Sequence, residues 1–126
     1  LDTCLDAIEN LKEHNIYPTL VDARFAKPLD TNLIDLILDS HKYILTIEEG
    51  SIGGFASSVL NYTHNIRLKP TNSIIKNLFF PDKFIEHDTP EGQYKEMGMD
   101  SKSIAVQIIN FFDKKVLSLN QINQKI

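Results

Sequence analysis

Two short apolar runs, HKYILTIEE at 41–49 and NSIIKNLFF at 72–80, set the terms on which this chain can fold. Each has the length of a strand, is rich in branched and aromatic residues, and is closed by a breaker: Gly50 after the first, Pro81-Asp82 after the second. Between them Phe55, Ala56, Val59 and Leu60 recur at helical spacing, which predicts a helix from about Gly53 to Asn65. A strand, a helix and a strand joined by short connections favour a right-handed crossover between parallel neighbours.

The same alternation extends outward. Leu1, Leu5, Ile8 and Leu11 with acids between them predict an amphipathic helix over 2–14. IYPTLVDAR at 16–24 predicts a further strand, with Pro18 at its start or on an edge. Asp30 is placed to cap a helix through TNLIDLILDS to about Ser40. Thr89-Pro90-Glu91 has the form of a helix start, and Gly98 ends that short helix. Asp100 then caps a helix whose Ile104, Ile108, Ile109 and Phe112 form an apolar stripe. The expected architecture is a three-layer α/β/α sandwich around a small, mostly parallel sheet. Residues 1–115 form the domain and 116–126 a polar tail.

Composition excludes several function classes. With 126 residues, 42% apolar and 24% charged, the chain fits one ordinary globular domain. A net charge of −4 leaves no basic excess to displace counterions from nucleic-acid phosphates. The apolar runs are far shorter than the roughly 20 residues that cross a bilayer. A lone Cys4 and the lack of a signal peptide point to the reducing cytoplasm. The chain opens without Met and reads as a piece of a longer protein.

The polar residues that attract a functional reading sit where strands end. TIEEGSIGGFAS at 46–57 has neither the GxGxxG nor the GxxxxGK[ST] spacing of a nucleotide loop, and Glu48 and Glu49 would repel a phosphate. Neighbours on a strand face opposite ways, so Glu48 and Glu49 do not form a close acid–base couple. Gly53 and Gly54 are expected to let the following helix approach the sheet closely. In a parallel sheet, partners dock beyond the carboxyl ends of the strands. Those ends collect Asp22 and Arg24, which share a face at period two, Glu48 and Glu49, and then Asp82 and His87. His14, His41, His64 and His87 lack metal-ligand spacing, and SIGGF is not a nucleophile elbow. The residues by themselves describe an α/β domain without a self-sufficient active site.

Four stretches, VDARFAKPLDTNLI, ILTIEEGSIGGFASSVLN, FPDKFIEHDTPEGQYKEMGMD and SIAVQII, together resemble the C-terminal domain of the 1-deoxy-D-xylulose-5-phosphate synthases, of the transketolase group. Transketolases and the β-subunits of 2-oxo-acid dehydrogenases share the looser E-E and glycine pattern, and a free-standing α/β binding module is the remaining alternative. The resemblance implies a transketolase C-terminal fold with the family's first strand missing. It implies a full-length homodimer that condenses pyruvate with glyceraldehyde 3-phosphate, using thiamine diphosphate and Mg²⁺ held by the N-terminal and pyrimidine-binding domains. It implies no cofactor or catalytic residue in this fragment, and no nucleic-acid or membrane partner. It makes Asp22, Arg24, Glu48, Glu49, Gly53, Gly54, Asp82 and His87 candidates for interdomain or dimer contacts.

Overall fold

A computed structural model describes residues 1–49, 53–79, 92, 95 and 98–123, the last ten of these by their backbone only. The chain divides into two compact units, residues 1–21 with 85–126, and residues 22–84.

In the first unit, helix α1 (Asp2–Lys12) packs on a long helix that begins at Ser101. The C-terminus of α1 closes in a Schellman motif. Asn15 takes the left-handed conformation at φ 56°, Ile16 N–H donates to Leu11 O and Asn15 N–H to Lys12 O. The apolar stripe of α1 is shifted from its expected face: Ala7 and Leu11 are buried, whereas Leu1 and Leu5 are exposed. Residues 16–24, expected as a strand, form none. Pro18 cannot donate to a ladder. At the far end Arg24 sits at φ 53°, where Phe25 N–H turns back to Ala23 O in a three-residue turn.

The second unit holds α2 (Thr31–Ser40), β1 (Tyr43–Glu48), α3 (Phe55–Asn61), a π-helical turn (Tyr62–Ile66) and β2 (Ile74–Phe79). Asp30 caps α2 as expected, its Oδ1 accepting from Leu33 N–H at 3.0 Å. The strands are parallel, with Tyr43 opposite Ile74 and Glu48 opposite Phe79, and the helical segment 55–66 forms the crossover between them. Among the described residues of this unit Leu38, Ala56, Val59 and Leu78 are the buried apolar side chains. Thr46 is also buried, and its hydroxyl donates across the ladder to Asn77 Oδ1 at 2.7 Å, so the polar group keeps a partner inside. The Ser73 hydroxyl lies 2.9 and 2.8 Å from the carbonyls of Leu38 and His41, which ties the entry of β2 to the end of α2. The fold is thus α/β with a small parallel sheet.

Helix α4 (Ser101–Asn123) belongs to the first unit and starts where Gly98, at φ 68°, turns the chain. Asp100 Oδ1 accepts from the N–H groups of Lys102 and Ser103, both at 3.1 Å, and Ser103 Oγ donates to Asp100 Oδ2. Ile104 and Ala105 are buried, while Phe112 at the end of the expected stripe is part exposed. The helix start expected at 89–91 lies outside the described residues. Among those described, no helix is long and apolar enough to cross a membrane.

Candidate functional site

Strand β1 delivers two carboxylates to its carboxyl end, and their fates differ as the strand pleat requires. Glu49 is exposed. Glu48 turns inward and becomes the cap of α3: its Oε2 accepts from Phe55 N–H at 2.6 Å and its Oε1 from Ala56 N–H at 3.2 Å. Two of the four amides that lack an intrahelical partner at the start of α3 are thereby satisfied by a residue from another element. The residue at the usual capping position is Gly54, which has no side chain to do this.

The glycines explain themselves against that carboxylate. A Cβ at Gly54 would stand 2.6 Å from Glu48 Oε2, inside van der Waals contact. Gly53 has open space around it but holds φ 109°, a conformation that side chains resist. The glycine corner therefore gives room to a carboxylate. The glycines were expected to admit the helix close to the sheet; what stands close to Gly54 is instead the Glu48 side chain, and nothing lies within 4 Å of a Cβ at Gly53. This arrangement also fills the anion-attracting end of α3 with the protein's own charge.

Asp22 and Arg24 come together, though not on a strand. The turn at Arg24 lets its own N–H donate to Asp22 Oδ1 at 3.1 Å, and Arg24 Nε lies 3.9 Å from Asp22 Oδ2. Both side chains are largely exposed, so the pair is water-screened and weak. Asp82 and His87 lie outside the described residues. His41 ends α2, its ring Nδ1 2.8 Å from Ser40 Oγ and its N–H bonded to Ile37 O.

The most extensive polar cluster among the described residues was not among the sequence candidates. Arg67, whose side chain is only 3% exposed, donates through Nε to Asp35 Oδ1 at 2.6 Å and through Nη2 to Asp39 Oδ1 at 2.7 Å. Its Nη1 donates to the carbonyls of Lys69 and Pro70. Lys69 Nζ reaches the other oxygen of Asp39 at 2.7 Å, and Tyr62 Oη donates to Asp35 Oδ2 at 3.0 Å. Lys69 and Arg67 hold the Asp39 carboxyl below the ordinary carboxylate range. The bond to Asp35 raises the Arg67 guanidinium further, and burial with the Asp35 bond pushes the Tyr62 phenol up. Spacing marks only the two acids of this cluster, because Asp35 and Asp39 stand four apart on one face of α2. Their basic partners lie some thirty residues away, and no local pattern identifies them.

Beside the cluster is a shallow, open, mainly apolar depression of about 310 Å³ lined by Ala26, Leu29, Asn61, Tyr62 and Ile66 among others. Among the described residues no three His, Cys, Asp or Glu side chains converge to hold a metal ion. Cys4 is half-buried, and burial pushes its thiol up, away from the reactive thiolate. The described residues thus provide helix capping and ion pairing, with exposed charge at Asp22, Arg24 and Glu49.

Comparison with known proteins supplies what the geometry lacks. The family model described as transketolase, C-terminal domain, matches residues 1–104. A protein of Oryza sativa subsp. japonica named probable 1-deoxy-D-xylulose-5-phosphate synthase 2, chloroplastic, is 40% identical over 119 residues. The matched part is 94% of this chain and 17% of that protein, so the chain spans about a sixth of its relative's length.

Proposed function

Because the chain belongs to the transketolase C-terminal domain family, we propose that it is the C-terminal domain of a 1-deoxy-D-xylulose-5-phosphate synthase, contributing architecture and contacts to chemistry done elsewhere in the enzyme. The observation that carries this reading is the 40% identity maintained over 94% of the chain with a protein of that name.

In this reading the full-length enzyme condenses pyruvate with glyceraldehyde 3-phosphate and releases CO₂. Thiamine diphosphate, when bound, supplies the electron sink for the decarboxylated fragment. The described residues of this chain do not fit that cofactor. The described residues gather no metal-binding cluster, and the amides of the α3 N-terminus already hold the Glu48 carboxylate, which would repel a diphosphate. No step of the reaction is therefore assigned to this chain.

Its own residues divide by role. Glu48, Gly53 and Gly54 build the corner at the end of β1. Asp22, Arg24 and Glu49 offer charge at the surface, suited to the preceding domains of the same polypeptide or to the second subunit of a homodimer. Asp82 and His87 belong to the same proposal on sequence grounds.

The test is an assay of the full-length gene product with pyruvate, glyceraldehyde 3-phosphate, thiamine diphosphate and Mg²⁺, followed by CO₂ release and product formation. Turnover by the full-length protein and none by the 126-residue chain is the expected result. Turnover by this chain alone would overturn the assignment of roles. Full-length Arg24→Ala and Glu49→Ala, made singly, should each lower activity or weaken subunit association. Unchanged values for both would remove these two from the contact surface.

A further inference from the structure

The crossover helix changes its winding at Tyr62. Residues 55–61 are α-helical, and the chain then runs as a π-helical turn to Ile66, with Arg67 N–H donating to Tyr62 O at 2.8 Å. Nothing local demands the change: NYTHNI holds no Gly or Pro. Thr63 Oγ1 bonds back to Val59 O at 2.8 Å, a contact that threonine makes in ordinary α-helices too and which does not choose between the windings.

Asp35 does choose. Its Oδ2 accepts from Tyr62 Oη at 3.0 Å and its Oδ1 from Arg67 Nε at 2.6 Å, so one carboxylate clasps the first residue of the turn and the residue just beyond it. An α-helix advances about 100° per residue, so residues five apart would lie about 140° from each other around the axis. Winding with i→i+5 bonds returns them much closer to one face. In this winding Tyr62 and Arg67 reach the two oxygens of a single side chain. Asp39, one turn further along α2, takes Nη2 of Arg67 and fixes the guanidinium plane.

We propose that Asp35, assisted by Asp39, is a conformational latch that selects the π winding of residues 62–66 over the α winding their sequence would otherwise take. Tyr62 and Ile66 both line the apolar depression, so the latch sets the shape of that wall. Released, the segment passes the Tyr62 carbonyl from the Arg67 amide to the Ile66 amide, and Ile66 rotates within the wall. The inference does not depend on the enzyme assignment.

Two substitutions in the full chain test it. In a crystal structure of Asp35→Ala the Tyr62 carbonyl is expected to accept from Ile66 N–H; retention of the Arg67 bond overturns the proposal. Tyr62→Phe removes one hydroxyl, keeps the packing and guards against misfolding of the first variant. Hydrogen exchange in the peptide spanning residues 62–70 should then quicken roughly tenfold, the size expected from losing one hydrogen bond to a carboxylate. An unchanged rate overturns the latch as well.

Discussion

A single carbon added at position 54 decides whether α3 keeps its cap. Gly54→Ala would place a methyl 2.6 Å from Glu48 Oε2, forcing the carboxylate off Phe55 N–H and Ala56 N–H. The expected loss is about 1–3 kcal/mol of unfolding free energy, measured by denaturant titration. Asp39 gives a second prediction, in pH. Its carboxyl titrates below the ordinary aspartate value of about 3.9 because Lys69 and Arg67 bond to the ionised form. A lowered folded-state pKa contributes stability that is complete above the unfolded value and lost as pH falls through the folded one. Acid unfolding of Asp39→Asn should therefore show a shallower stability loss below about pH 4 than the parent. Asp100 behaves in the same direction; burial opposes it, and the bonds from Ser103 and Lys102 outweigh the burial. At this scale the sequence revealed which glycines matter but not why. Gly53-Gly54 stood out as a corner, while its occupant, Glu48, became visible only once β1 and α3 were placed together. The turn at Arg24 left no trace in the residue pattern, because nothing about Arg favours φ 53°.

Elements were legible where local chemistry defines them and illegible where partners do. The α2 cap follows from Asp30 alone, and Asp30→Ala should cost about 1 kcal/mol in thermal or chemical unfolding. The strands β1 and β2 follow from their apolar runs and breakers. Residues 16–24 carry strand-like composition, yet composition alone does not make a strand, and the described structure has none there. The π-helical turn was hidden for the opposite reason. Helical periodicity continued correctly through it, and the choice of winding came from Asp35 on a different helix.

At the scale of the whole chain, the two units rest on small apolar cores. Among the described residues Leu11 and Ile104 are the largest fully buried side chains, and both belong to the unit made from the two ends of the chain. Leu11→Ala should destabilise that unit by about 2–5 kcal/mol, with proteolysis of the first helix as a convenient readout. The family assignment was legible at this scale because the motifs span the chain in order, and the match over residues 1–104 agrees with them. The contact roles proposed for Asp22, Arg24 and Glu49 are carried by that resemblance and by exposure.

The pairing of α1 with α4 has a consequence during synthesis. The first helix leaves the ribosome long before the one it packs on, with nearly ninety residues between them, a wait of roughly 5–20 seconds at ordinary translation rates. For that interval Ala7 and Leu11 have no α4 to cover them, whereas residues 22–84 can settle as soon as they emerge. The middle of this chain is thus free to fold before its beginning does.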